Sequence, residues 1–265
     1  MRLLSIFLLL STLVLGHSAF STNEQDNDTV ENNAPATGPR SGEFQASFTV
    51  TELLGATSAQ YYESIIPTDE LIEWEIYVPE SYKHERPAGV LVYISPSQKG
   101  SIPKQWKSLM DAHNLIWIGA NRSGNRVPVP RRVVYALTAL AAIDRNYKVD
   151  VERVYLTGFS GGGKAASVTS AQYPQIFKGA IFNCGARFWG SETPERLEQI
   201  VTNRYVFITG TYDHNLELTK KVFRAYQSAG VEHSKLMVIR NMTHSNPKSK
   251  YLEKAIEFLD APGSE

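Results

Sequence analysis

The sequence predicts one α/β domain, a mostly parallel sheet with helices on both faces. Three observations carry this. From about residue 44 to residue 259, short apolar runs alternate with stretches of helical period, the pattern of strands joined by crossover helices. Some runs, such as Gly89 to Ile94 and Leu115 to Gly119, are continuously apolar, as strands buried on both faces must be. Between a strand-like run and an Ala-rich helix stands Gly158-Phe159-Ser160-Gly161-Gly162. A serine on so sharp a strand-to-helix turn is strained, and glycine two positions to either side removes the Cβ atoms that would crowd it.

Taken in order, the chain opens with Arg2 and the apolar run Leu3 to Leu15, then Ala19-Phe20-Ser21. That is a secretory signal over residues 1–21, too short for a comfortable membrane span. It places the remainder outside the cytoplasm, secreted or periplasmic, with no stable membrane insertion after cleavage. Residues 22–43 are polar, acidic and poor in large apolar side chains, so they read as a disordered linker. The folded domain is expected over residues 44–265.

Eight strands are expected within it. Phe44 to Thr51 and Leu71 to Val78 alternate with period two, as outer, half-exposed strands do. Gly89 to Ile94 and Leu115 to Gly119 are buried runs. The run ending at Phe159 leads into the serine turn. Gly179 to Cys184, Tyr205 to Thr209 and Lys235 to Ile239 complete the set. Helices are expected over 103–113, from Pro130 to about Tyr147, after Ser160 to about Tyr173, and over 193–201, 216–229 and 247–259. Pro130 suits a first helical turn.

Composition narrows the chemistry. The chain has 27 basic and 27 acidic residues, which gives no electrostatic case for nucleic acid. One cysteine, Cys184, excludes an intramolecular disulfide framework and reads as a buried thiol in a core strand. No metal cluster, phosphate loop or nucleotide fingerprint is present, so no cofactor is expected.

In a parallel sheet, functional residues gather beyond the carboxyl ends of the strands. Ser160 needs a base, and the base needs an orienting carboxylate. The strand ending at Thr209 runs into Gly210-Thr211-Tyr212-Asp213-His214-Asn215, and the strand ending at Ile239 into Arg240-Asn241-Met242-Thr243-His244. Ser160, Asp213 and His244 thus follow the order Ser…Asp…His. Asp213 also suits a cap for the helix from residue 216. His214 is a rival base but should point elsewhere as Asp213's neighbour, and His84, His113 and His233 precede strands at the opposite edge.

The motifs Gly158-Phe159-Ser160-Gly161-Gly162, Gly210-Thr211-Tyr212-Asp213 and His244 resemble those of the α/β-hydrolase superfamily. The run Ile143-Asp144-Arg145-Asn146-Tyr147-Lys148-Val149-Asp150, with Arg153-Val154-Tyr155 and the later Tyr173-Pro174 and Phe177, is similar to the polyhydroxybutyrate depolymerase, feruloyl esterase and acetylxylan esterase group. The resemblance implies an α/β-hydrolase fold with an eight-stranded sheet, and a serine esterase acting on a small-molecule or polymeric ester. Members usually carry His-Gly after the third strand to open the loop that donates to the oxyanion; here Ser95-Pro96 stands there. Proline has no N–H, so the hole is assigned to Gly161 with Ser97 or Gln98. Phe159, Trp189 and Tyr212, with Arg187 and Phe188, sit on loops at the same edge as candidate substrate contacts. Arg122, Arg126, Arg131 and Arg132 form a basic cluster nearby. The alternatives are a prolyl-oligopeptidase-type serine peptidase, which shares the catalytic core, and a catalytically inactive hydrolase fold used for binding. The sequence leaves the oligomeric state open.

Overall fold

The buried runs become central strands. In a computed structural model describing residues 39–189 and 194–261, β3 (Ala88–Ile94) and β5 (Val149–Phe159) lie side by side and parallel. Their apolar residues divide between two cores. Val90, Val92 and Ile94 face one layer of helices, and Leu91 and Tyr93 face the other. Burial of each such Val, Leu or Ile is worth about 1.5–3 kcal/mol, which gives a continuously apolar run ample reason to sit in mid-sheet.

The remaining strands are β1 (Gly42–Phe48), β2 (Ile72–Val78), β4 (Leu115–Ala120), β6 (Gly179–Asn183), β7 (Arg204–Gly210) and β8 (His233–Ile239). They form one eight-stranded sheet in the order β1-β2-β4-β3-β5-β6-β7-β8. β2 runs antiparallel to both β1 and β4, and the other pairings are parallel. The expected strands are therefore all present, and the fold is the α/β-hydrolase fold.

The helices are α1 (Val50–Leu54), α2 (Ala56–Ala59), α3 (Lys107–His113), α4 (Val129–Asp144), α5 (Gly161–Gln172), α6 (Pro194–Thr202), α7 (Leu216–Ser228) and α8 (Ser249–Asp260). α3 and α8 cover one face of the sheet through Leu109, Met110, Leu252 and Ile256. α4, α5 and α7 cover the other through residues such as Leu137, Ala166 and Tyr226. No helix among the described residues is long and apolar enough to cross a membrane.

Three expectations change. β1 starts at Gly42 and stops at Phe48, because Thr49 and Glu52 form a capping box: Thr49 Oγ1 accepts from Glu52 N at 3.0 Å, and Thr49 N donates to Glu52 Oε2 at 2.7 Å. Thr51 is thus helical rather than the end of a strand. Residues 50–66, which the strand periodicity passes over, lay Val50, Leu53, Ala59 and Ile66 into the core. They leave α4 buried from Arg132 to Ile143. β2 is covered rather than half-exposed. Its Glu75 is 7% exposed and accepts from Gln45 Nε2 at 2.8 Å and Asn121 Nδ2 at 2.9 Å. The signal and most of the linker expected before β1 lie outside the described residues.

Candidate active site

The turn between β5 and α5 holds Ser160 at φ 54°, ψ −118°, a conformation that side-chain-bearing residues rarely adopt. Two glycines permit it. A Cβ on Gly158 would lie 2.4 Å from the Gly162 carbonyl, and one on Gly162 only 1.9 Å from the carbonyl oxygen of Ile94 at the end of β3. The first turn of α5 thereby packs directly against the neighbouring strand, and Ser160 stands at the carboxyl edge of the sheet.

The loops after β7 and β8 bring the other two candidates to it. Thr211 N–H donates to Ile239 O at 3.0 Å and Tyr212 N–H to Met242 O at 3.0 Å, so the two loops are tied to each other. With the ring proton on Nδ1, His244 donates to Asp213 Oδ1 at 2.7 Å and accepts from Ser160 Oγ through Nε2 at 2.9 Å. Ser160, His244 and Asp213 form one hydrogen-bonded chain. The Asp213 side chain is fully buried, and that of His244 is 23% exposed.

Asp213 is held from three sides. Its Oδ2 accepts from Thr209 Oγ1 at 2.7 Å, and its Oδ1 also accepts from Asn215 N at 3.0 Å. Burial alone would raise the carboxyl's pKa. The Asn215 N–H, the His244 ring, the Thr209 hydroxyl and the Cys184 thiol outweigh it and keep the group below its usual range. A carboxylate is therefore the stable form beside the imidazole. The helix cap is Asn215, not Asp213. Thr209 went unnoticed in sequence because a threonine inside a strand carries no signal of what its hydroxyl meets.

His214 does not point elsewhere. Its ring packs against that of His244, tilted by 36° with centroids 4.0 Å apart, and its Nδ1 lies 4.0 Å from Asp213 Oδ1. Phe159 packs against the His244 ring as well, at 4.9 Å. The imidazole is thus braced by two rings, and Phe159, expected to meet substrate, contacts His244 itself. Trp189 does not line an open site. It is 7% exposed, stacked on Phe188 at 4.4 Å and set edge-on against Tyr226 at 4.3 Å. Tyr212 and Phe188 are exposed, at 69% and 41%.

The Ser95–Gln98 loop, expected to donate to an oxyanion, differs from expectation in one donor. Ser97 N–H is engaged by the hydroxyl of buried Ser95 at 3.1 Å. Gln98 N–H and Gly161 N–H have no protein acceptor among the described residues. Asn125 lies over this turn, its Oδ1 2.0 Å from where a Cβ on Gly161 would be.

Three of the four clustered arginines, Arg122, Arg126 and Arg131, border one open cleft of about 360 Å³. There Arg131 pairs with Glu70 and Tyr135. Arg132 is 3% exposed, and its guanidinium donates to Ser95 O at 2.7 Å and Gly161 O at 3.3 Å. Cys184, Asp213 and His244 bring potential metal-ligand atoms within 4.8 Å of one another. They do not fit a metal: the Asp213 and His244 atoms are committed to each other, and burial pushes the Cys184 thiol's pKa up, away from the thiolate a metal needs.

Sheet order, serine turn and strand-end loops are those of the α/β-hydrolase fold. Solved structures share the fold. A ferulic acid esterase superposes with a TM-score of 0.62 at 14% identity, over 83% of this chain and 98% of that one. An alanine-for-serine mutant of the feruloyl esterase module from Clostridium thermocellum, complexed with sinapinate, gives 0.61 at 10% identity over 91% and 96%. A putative dipeptidyl aminopeptidase IV from Bacteroides ovatus gives 0.56 at 14% identity, over 82% of this chain and 35% of that one. No protein-family model and no curated protein sequence matches the chain.

Proposed function

We propose that this protein is a serine esterase that cleaves carboxylic esters through an acyl-enzyme at Ser160. The observation that carries the reading is the Ser160–His244–Asp213 chain, with contacts of 2.9 and 2.7 Å, on a serine held at positive φ. His244 Nε2 takes the Ser160 proton as Oγ attacks the ester carbonyl, and Asp213 stabilises the imidazolium that forms. The N–H groups of Gly161 and Gln98 are the donors for the oxyanion. His244 then gives its proton to the leaving alcohol, and water repeats the sequence to release the acid. The signal-like residues 1–21 support a secreted or periplasmic location.

The similarity to feruloyl esterases favours an ester over an amide. The dipeptidyl aminopeptidase likeness supports a second reading, a serine peptidase. The two separate on one plate: p-nitrophenyl esters from acetate to octanoate plus ferulate, against p-nitroanilides of dipeptides, with wild type and Ser160→Ala. Ester turnover lost in Ser160→Ala is the expected result. Anilide turnover without ester turnover moves the assignment to a peptidase. No turnover and no fluorophosphonate labelling of Ser160 leaves a binding protein.

A further inference from the structure

Arg132 is a buried cation that meets carbonyls rather than a carboxylate. Its Nη2 donates to Ser95 O and its Nη1 to Gly161 O. Among the described residues its Nε has no partner and no carboxylate pairs with it. Carbonyl dipoles compensate a desolvated guanidinium only in part, and a buried charge of this kind is seldom a net source of stability.

The two carbonyls belong to the two halves of the oxyanion hole. Gly161 follows the nucleophile, and Ser95 opens the loop that carries Gln98. Asn125 N–H donates to Pro96 O at 3.0 Å and Arg122 N–H to Gln98 O at 2.8 Å, so the segment before α4 also latches that loop. Arg's planar fork can bridge two acceptors in fixed geometry, which the point charge of lysine cannot.

Resting on the esterase reading, we propose that Arg132 is the positioning residue of the oxyanion hole, clamping the Ser95–Gln98 loop to the nucleophile turn so that the Gly161 and Gln98 N–H groups converge on one oxygen. It touches no reacting atom. The device meets a need particular to this chain, whose Ser95-Pro96 lacks the residues that usually shape the loop.

The test compares wild type with Arg132→Met and Arg132→Lys, using a p-nitrophenyl ester, its thionoester, a fluorophosphonate and thermal melts. Arg132→Met removes the charge at similar volume. We expect its Tm to hold or rise while kcat falls about 10–10²-fold, part of the 10²–10³ that a lost oxyanion donor costs, with KM within threefold. The oxo-to-thiono rate ratio should fall too, since sulfur accepts hydrogen bonds poorly and gains little from an aligned hole. A purely structural arginine would lower Tm and leave that ratio unmoved; that result, or a kcat within twofold of wild type, overturns the proposal. Should Arg132→Met not fold, Arg132→Lys decides: a lowered ratio with intermediate kcat supports the clamp, and wild-type values refute it. Fluorophosphonate labelling separates the two claims. A wild type that is not labelled refutes the serine-hydrolase reading and the clamp with it, whereas equal labelling rates in wild type and variants refute the clamp alone.

Discussion

Replacing Asp213 with asparagine changes one charge and almost no volume, and the surroundings dictate which way the amide turns. Oδ1 receives two N–H donors, from Asn215 at 3.0 Å and His244 at 2.7 Å. Oδ2 accepts from the Thr209 hydroxyl, at 2.7 Å, which can rotate and accept instead of donate. The amide oxygen therefore stays at Oδ1, the NH₂ turns to Thr209, and His244 keeps its proton on Nδ1. What is lost is the attraction between carboxylate and imidazolium in the transition state. A 2.7 Å contact puts the charge centres about 4 Å apart, worth about 4 kcal/mol at an effective dielectric near 20. That is roughly a 10³-fold fall in kcat, with KM within a few fold. The assay is p-nitrophenyl butyrate hydrolysis at pH 8, with a thermal melt to establish folding. A folded Asp213→Asn that loses less than about tenfold would refute the assignment of Asp213 as orienting acid.

Other perturbations test the packing around the site. His214→Ala removes one of the two rings bracing His244; a close ring pair is worth about 0.5–1.5 kcal/mol, so kcat/KM should fall about 2- to 10-fold with Tm nearly unchanged, and an unaltered kcat/KM would dismiss the brace. Gly162→Ala sets a Cβ 1.9 Å from Ile94 O, whereas Gly161→Ala meets the movable end of Asn125; melts should show Gly162→Ala destabilised by about 2 kcal/mol or more and Gly161→Ala folded, and the reverse order would contradict the packing. Asp260 ties α8 to β5 through Arg153 Nε and Nη2, each at 2.8 Å, and Tyr155 Oη at 2.9 Å. Burial works to raise its carboxyl, yet His113, Arg153 and Tyr155 draw it down to about 2 from an ordinary 3.8. A folded value below the unfolded one gives stability that is present above the unfolded pKa and lost as pH falls from about 4 toward 2, of order 2 kcal/mol. In urea unfolding, wild type should exceed Asp260→Asn at pH 6 and converge on it near pH 2.5; an equal gap at both would rule out this linkage.

Much of the architecture was legible in residues 44–259, because two local signals suffice for it. Continuous apolar runs must be buried on both faces, and Gly158-Phe159-Ser160-Gly161-Gly162 admits few backbones. Chain order alone paired Ser160 with Asp213 and His244, since strand-end loops of a parallel sheet converge at one edge. The capping box at Thr49 and Glu52 was legible too, but the alternation of the strand before it carried the reading past the boundary.

What the sequence could not determine was the direction and company of individual side chains. Arg131 and Arg132 are neighbours in the chain, yet one meets Glu70 at the surface and the other meets the carbonyls of Ser95 and Gly161. A helix turns about 100° per residue, so of the four clustered arginines Arg132 alone is turned inward while Arg122, Arg126 and Arg131 share a cleft. His214 lies against His244, and Trp189 against Tyr226, because loops between fixed strand ends place their side chains by packing and not by periodicity. Local pattern determined which strand ends meet; only the tertiary structure decided which groups beyond them touch, since those contacts join residues far apart in the chain.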